Sequence, residues 1–217
     1  MPTTYSEFLS VMEALREKGY TPIQGSEQHV YGELMIGMIM NILAKDKDAT
    51  AKLEAGDVSV VDVVKPVFER LTEIIDKGYT DYDLNCTYPA DNYDGSIMGF
   101  FEGNMPFYVC TAECVSGMKK RESKSETFTA KPFEYEYLYA PIGDEGAYAY
   151  TEPWYGFSVN ENSKDKDIAV EFMRFLTTAD RLTSMASIKG MPASTTTGTD
   201  ERYTAMKNQQ KLAASFS

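Results

Sequence analysis

The sequence predicts an α/β domain that is rich in helix and carries only a small mixed sheet. Short apolar segments alternate along the chain with longer segments whose apolar residues recur every three or four positions. This alternation of strand and helix patterns is typical of α/β domains. Glycine and proline end most of the helical segments, which keeps the helices short. A chain of 217 residues is long enough to bury a core, in one large domain or two small ones.

The first quarter of the chain is predicted to be mainly helical. Thr4 and Glu7 form a capping box, which marks the start of a helix that ends at Gly19. Pro22 and Ile23 then form a short strand that enters a loop over residues 25–30. The apolar segment 31–44 follows. It is too short to cross a bilayer, so we interpret it as a core helix that is hydrophobic all round.

A long helix is predicted to begin at Asp57 or Ser59 and to end at Gly78. Pro66 lies inside it and cannot donate to the carbonyl one turn earlier, so it must sit in the first turn or kink the helix. The predicted buried face consists of Val64, Val67, Phe68, Leu71, Ile74 and Ile75.

Two strands and a helix are predicted in the middle of the chain. Residues 105–111 form an apolar run, which indicates a buried strand, and residues 112–121 form a helix. Aromatic side chains then occupy every second position, which predicts a strand with one sheltered face. These residues are Phe133, Tyr135, Tyr137 and Tyr139.

The last third is predicted to contain a loop, a strand and a helical hairpin. Residues 146–153 form the loop and residues 157–159 the strand. Ser163 is a good N-cap for the next helix, whose apolar face is marked by Ile168, Phe172 and Phe175. Gly190 ends the second helix of the hairpin, and the tail after residue 200 is helical in propensity.

The composition excludes several classes of function. The formal net charge of −12 disfavours nucleic acid and anionic membranes, because both are bound by clustered Lys and Arg. Cys86, Cys110 and Cys114 do not form a disulfide framework, and we interpret them as small buried hydrophobic residues. A bridge between Cys110 and Cys114 stays open for a protein that works outside the cell. The sequence indicates no metal site and no cofactor, and no signal peptide precedes the first helix.

Four segments resemble, in order, the extracellular solute-binding proteins of bacterial ABC importers, in their carbohydrate-binding branch. They are PTTYSEFLSVMEALREKGYTPI, FFEGNMPFYVCTAE, YLYAPIGDEG and WYGFSVNENSKDKDIAVEFMRFL. The resemblance implies a periplasmic-binding-protein-like lobe within an incomplete two-lobe fold. Residues 1–140 would form most of the second lobe, 141–193 the interlobe crossing and a returning strand and helix, and 194–217 the start of a C-terminal helical region.

The same resemblance implies a function without covalent chemistry. A mono- or oligosaccharide would bind between two hinged lobes, and the complete protein would deliver it to the importer's permease. That parent would lie outside the cell or in the periplasm as a membrane-anchored lipoprotein, and would carry the leader and first lobe that this chain lacks.

Five residues are candidates for ligand contact, because the resemblance puts them at the cleft. They are Trp154, Tyr155, Gln28, His29 and Glu113. Aromatic faces pack on the apolar side of a sugar ring, and planar polar groups bind its hydroxyls. Glu113 stands where the family commonly has an aromatic residue, so it would bond a hydroxyl and could not stack on the ring. Trp154 and Tyr155 stand where the family commonly has glycines.

Two alternatives remain open at this stage. One is a glycoside hydrolase that uses two carboxylates, for which the 33 acidic residues supply many pairs. The other is a protein-interaction module, in which a lobe without its partner exposes an apolar face and forms a homodimer to cover it.

Overall fold

The computed structural model describes residues 1–46, 48–88, 94–111, 114–151, 157–189 and 211–215. Helices and short strands alternate through these ranges, as predicted. The helices are α1 Tyr5–Glu17, π1 Gln28–Glu33, α2 Leu34–Ala44, α3 Ala49–Ala55, α4 Val60–Asp76, α5 Tyr82–Cys86, α6 Asp94–Phe101, α7 Cys114–Glu122, α8 Glu126–Ala130, α9 Lys166–Leu176 and α10 Ala179–Lys189. The strands are β1 Ile23–Gln24, β2 Phe107–Tyr108, β3 Ala147–Thr151 and β4 Lys211–Ser215.

The small sheet that the sequence predicts is present as two parallel pairs of strands. β1 lies beside β2 with Ile23 opposite Phe107, and Thr80 bridges Ile23 in the same parallel sense. The Ile23 amide donates to the Tyr79 carbonyl, whereas the carbonyls on either side of Ile23 accept from the Phe107 and Val109 amides. Strand β1 therefore lies between the other two segments. The second pair is β3 with β4, and an isolated antiparallel bridge joins Ala140 to Tyr148.

Two hydrophobic clusters support this sheet. The larger one buries α1, α2 and α4 against β1 and the segment around Ile142. The smaller one is mainly aromatic, with Ile97 and two methionines, and joins α6, α7 and α8 to the segment 133–137. The predicted core helix is confirmed as α2, which buries Leu34, Met38 and Met40 together with the polar Asn41.

Helix starts and stops are the features that the sequence predicts best. The capping box is confirmed, since the Thr4 hydroxyl accepts from the Glu7 amide and the Glu7 carboxylate accepts from the Thr4 amide. Ser59 caps α4, and Gly78 follows that helix with a φ of 68°. A residue with a side chain would be strained in that left-handed conformation.

The buried face of α4 differs from the predicted one. Val67, Leu71 and Ile74 are buried as expected, but Val63 joins them while Phe68 and Ile75 face solvent. The apolar residues of α4 cover two faces of the helix, and periodicity alone could not tell which face meets the core. Pro66 lies in the interior of the helix, which continues through it.

The alternating aromatic segment, residues 133–139, does not form a strand. Phe133 and Tyr135 lie against Phe100 and Phe101 of α6, with ring centroids 5.5 to 6.4 Å apart. The period of two was correct, because these rings share one face. That face packs on helices, so the alternation does not require a sheet.

Four predictions for the last third were wrong. Residues 147–151 form β3 where a loop was expected, and residues 211–215 form β4 within a tail that was predicted to be helical. Residues 157–159 form no strand, and Phe157 is exposed. Helix α9 begins at Lys166, after Asp165, whose amide donates to the Ser163 hydroxyl; Ser163 therefore holds a turn and does not cap the helix. Gly190 lies outside the described residues.

The cysteines are not uniformly buried. Cys114 is buried, Cys110 is partly buried and Cys86 is exposed at the end of α5. The interpretation of all three as buried hydrophobic residues is therefore wrong for Cys86.

The segment after Ala140 is held by three helices. The Tyr5 amide of α1 donates to the Gly143 carbonyl at 2.9 Å, and the Arg70 guanidinium of α4 donates to the Ile142 carbonyl and to Asp144, both at 2.8 Å. Lys45, just after α2, forms ion pairs with Asp144 and Glu145. These contacts anchor residues 142–145 to the helices.

Candidate functional site

Three parallel segments end at the same edge of the sheet. These are the segment through Thr80, strand β1 and strand β2. Ligands of open α/β sheets bind outside the carboxyl ends of parallel strands. The chain that leaves these ends, at residues 25–31, 81–85 and 109–111, is therefore the candidate site.

Gly25 forms a crowded junction directly after β1. A Cβ atom at this position would lie 3.0 Å from the Val109 carbonyl oxygen and 3.1 Å from a methyl group of Val30. The Val109 amide also donates to the Gln24 carbonyl at 3.1 Å. A side chain at residue 25 would push the segments after β1 and β2 apart.

The chain then enters π1, a helix type that is rare and often found at functional sites. Ser26 is fully buried at its start, where its hydroxyl accepts from the His29 amide and its carbonyl accepts from the Val30 amide. A loop was predicted at these residues. The wider turn of π1 places Gln28 at the surface and His29 inside the lobe.

A buried amide connects the segments at this edge. The Asn85 side chain accepts from the Gly25 amide at 3.3 Å and donates to the Thr80 hydroxyl at 2.7 Å. It also donates to the Tyr31 hydroxyl at 3.1 Å. Asn85 thus joins three segments: the residue after β1, helix π1, and Thr80 beside β1.

Two tyrosines form an aromatic pair at the same edge. The rings of Tyr31 and Tyr82 lie 5.4 Å apart, and Tyr82 is 51% exposed. An exposed ring beside polar groups is the kind of surface that packs on the apolar face of a sugar. The sequence analysis did not identify Tyr31, Tyr82 or Asn85 as site residues. The sequence did hold one signal for these residues. Asp81 is a typical N-cap residue, and in the structure it caps α5 through the Leu84 amide, which fixes the helix that carries Tyr82 and Asn85.

Two of the five predicted contact residues lie at this edge. Gln28 is exposed on π1, whereas His29 is only 3% exposed. Glu113, Trp154 and Tyr155 lie outside the described residues. Their assignment to ligand contact, like that of Gln28 and His29, stays a prediction.

The buried imidazole predicts a pH dependence of stability. Burial lowers the pKa of His29, and the nearby charge of Glu33 opposes that shift only in part. The unfolded chain, whose histidine has a pKa of about 6.5, then binds a proton that the folded chain does not. The free energy of unfolding therefore falls as the pH drops below about 6.5, by at most about 1.4 kcal/mol per pH unit, and is fully regained above it.

Urea unfolding of the parent and of His29→Gln at pH 7.5 and pH 5.5 checks this expectation. The variant should lose less stability between the two values, because its amide does not titrate. Carboxylates affect both proteins equally and cancel in the comparison. Equal losses in the two proteins would contradict a depressed pKa at His29.

Two negative findings apply to the part of the chain that is described. In these ranges no three His, Cys, Asp or Glu side chains are grouped in a way that could hold a metal ion. The helices described here also lack the combination of length and apolar character that crossing a membrane requires.

Known proteins resemble this chain in sequence and in fold. A family model described as bacterial extracellular solute-binding protein matches residues 1–212. Among solved structures, the chain is similar to a protein titled chitin oligosaccharide binding protein, with a TM-score of 0.67 and 20% sequence identity. That match covers 99% of this chain and 55% of the other, so the chain spans about half the length of that structure. A search of curated proteins found no match.

Proposed function

The chain belongs to the bacterial extracellular solute-binding proteins, and we propose that it forms one wall of a cleft that binds a carbohydrate. The observation that carries this proposal is the edge where β1, β2 and the Thr80 segment end together. Polar and aromatic groups of Gln28, Tyr31 and Tyr82 lie on the segments that leave this edge. The similarity in fold to a chitin oligosaccharide binding protein supports a sugar as the first class of ligand to test.

Charge supports a neutral ligand. The chain carries 33 acidic and 21 basic residues, and this excess of negative charge disfavours anionic solutes. Sugar hydroxyls donate readily to carboxylates and amides, and the apolar faces of the rings pack on aromatic side chains. A neutral polyhydroxyl molecule therefore suits this surface better than a phosphate or a carboxylate.

The proposed mechanism is capture without a change in the ligand's bonds. Gln28 would bond a sugar hydroxyl with its amide, and Tyr82 would offer its ring face. Trp154, Tyr155 and Glu113 would add a second ring platform and a hydroxyl acceptor. A second lobe of the longer protein would close over the ligand by a hinge motion, which excludes water and holds the sugar from both sides.

The remaining features of the complete protein are part of the same proposal. Residues 1–140 would form one lobe, 141–193 the crossing and the returning segment, and 194–217 the start of a further region that includes β4. As a family member the protein is extracellular or periplasmic. A lipid anchor and an ABC transporter permease as the partner are the arrangement we propose for the longer parent.

A thermal-shift assay on the longer protein tests the contact residues. A ligand that binds only the folded state raises the unfolding temperature, by an amount that grows with its concentration over Kd. A chito-oligosaccharide should stabilise the parent and should stabilise Trp154→Ala and Gln28→Ala less. Lys65→Met, on the exposed face of α4, is the control and should behave as the parent. Equal shifts in all four proteins would remove Trp154 and Gln28 from the site.

Helix α9 carries an apolar stripe that the described residues leave open. Ile168 is 70% exposed and Phe172 is 54% exposed, and Phe175 continues the stripe. Such a stripe normally marks a protein contact. We propose that a second lobe covers it in the longer protein, and that a second copy of this chain covers it when the chain is produced alone.

Light scattering on the isolated chain checks this second proposal. The chain should form a dimer at micromolar concentration, and Phe172→Glu should give a monomer, because burying an unpaired carboxylate in the interface is costly. Glu171→Gln, an exposed substitution on the same helix, should leave the dimer intact. A monomeric parent chain would contradict the proposal.

A further inference from the structure

The segment between Gly25 and Tyr31 is held at both ends by one side chain. Its first residue donates its backbone N–H to Asn85 Oδ1, and its last residue accepts from Asn85 Nδ2 through the phenol oxygen. Gln28 and His29 lie between these two ends, on π1. We propose that Asn85 is the positioning residue of the cleft wall, which fixes the conformation of residues 25–31 and thereby the direction of Gln28. This inference rests on the proposed function for its effect on binding, but the positioning itself does not.

The burial of Asn85 makes its hydrogen bonds important. Its side chain is fully buried, and both its oxygen and its nitrogen are used. A buried amide costs free energy unless its partners are present, so the native arrangement is strongly favoured over alternatives that leave it unpaired. Loss of either partner would leave a buried polar group without its bond.

Asn85 itself is held in place independently of the segment it positions. Its backbone amide donates to the Asp81 carbonyl at 3.0 Å, and Asp81 caps α5. Its Nδ2 also donates to the Thr80 hydroxyl, which lies on the sheet. The amide is thus fixed to the sheet and to α5, and it transmits that fixed geometry to residues 25 and 31.

Packing also restrains the start of the segment, at Gly25. Gly25 has no room for a side chain, because the Val109 carbonyl and Val30 lie within 3.1 Å of its Cβ position. The close approach to Val109 and the bond to Asn85 thus both limit movement of the chain at Gly25.

Hydrogen–deuterium exchange on the isolated chain tests the positioning role without any ligand. Asn85→Ala should accelerate exchange of the amides in residues 25–31 by about tenfold relative to the rest of the chain, because local opening loses two of its restraints. Val67→Ala, a buried substitution on α4, lowers global stability and should not single out this segment. Unchanged relative exchange in Asn85→Ala would overturn the proposal.

Tyr31→Phe removes the Asn85 bond at one end of the segment only, and it keeps the proposal testable if Asn85→Ala folds poorly. It removes one hydroxyl and retains the ring against Tyr82. Exchange should accelerate near residue 31 and remain slow at the Gly25 amide, which keeps its own bond to Asn85. Equal acceleration at both ends would mean that the two bonds do not act separately, and would overturn the proposal that Asn85 holds each end by its own bond.

Titration of a chito-oligosaccharide into the longer protein then tests the consequence for binding. Asn85→Ala should weaken binding by about tenfold, whereas Val67→Ala should change it less than about twofold. Equal losses in the two variants would reduce Asn85 to a general stabilising residue. Absence of sugar binding in the unmodified protein would count against the proposed function alone, because the exchange experiment decides the positioning role by itself.

Discussion

Phe101→Ala should lower the free energy of unfolding by about 3–5 kcal/mol, the usual cost of removing a buried aromatic ring. Phe101 is 0% exposed at the end of α6. Its ring lies 5.3 Å from Phe100, 5.0 Å from Phe128 and 5.7 Å from Tyr135, measured between centroids. The substitution would leave a cavity at the centre of the smaller hydrophobic cluster, and Met105 and Met118 could fill it only in part.

Chemical denaturation of the parent and the variant measures this loss. Phe68→Ala is the matched control. Phe68 is 54% exposed on α4, so removing its ring opens no large cavity in the core. The control should cost less than about 1 kcal/mol. Similar costs for the two substitutions would show that the α6 cluster is not a packed core.

Arg70→Met should cost about 2–4 kcal/mol, the second largest effect that we expect. The guanidinium donates to the Ile142 carbonyl and to Asp144, and it lies 4.4 Å from the centre of the Tyr5 ring. Ile142 is almost fully buried, so its carbonyl would lose a charged donor and remain away from water. The exposed ion pair with Asp144 adds little to this sum.

Lys65→Met provides the control for Arg70. It lies on the same helix and removes an exposed ion pair with Glu69, which should change stability by less than about 0.5 kcal/mol. The stability lost in Arg70→Lys should lie between the losses in Arg70→Met and Lys65→Met, because a single ammonium group cannot donate to both oxygens as the forked guanidinium does. The anchoring of residues 142–144 would be contradicted if Arg70→Met and Lys65→Met were equally stable.

Local chemistry explains which elements could be predicted from the sequence. The capping box at Thr4 and the glycine stop at Gly78 depend on neighbouring residues only, and both are present in the structure. The extended segment from Phe133 and the exposed side of α4 depend on which surface lies opposite. Periodicity states that a face is apolar, but it does not state whether a sheet, a helix or another chain covers it.

The candidate site likewise combines features that the sequence could predict with features that depend on long-range contacts. Gln28 and His29 were predicted from the family resemblance, which puts the loop after Ile23 at the cleft, and in the structure both lie on π1, which follows β1. The contribution of Asn85 could not be predicted, because it is separated from Gly25 by 60 positions and only the parallel arrangement of β1 with the Thr80 segment brings them together. Similarly, Tyr31 of π1 accepts a hydrogen bond from Asn85, 54 positions away, which no local pattern encodes.

The most direct test of a sugar-binding cleft is isothermal titration of the longer protein that contains this chain. The panel should hold mono- and oligosaccharides, including chito-oligosaccharides, together with amino acids and short peptides. We predict saturable binding of one class of sugar with a Kd of about 1 µM or below, and recovery of the sugar unchanged. Binding of an amino acid or a peptide with no response to any sugar, or recovery of a hydrolysed sugar, would contradict this account.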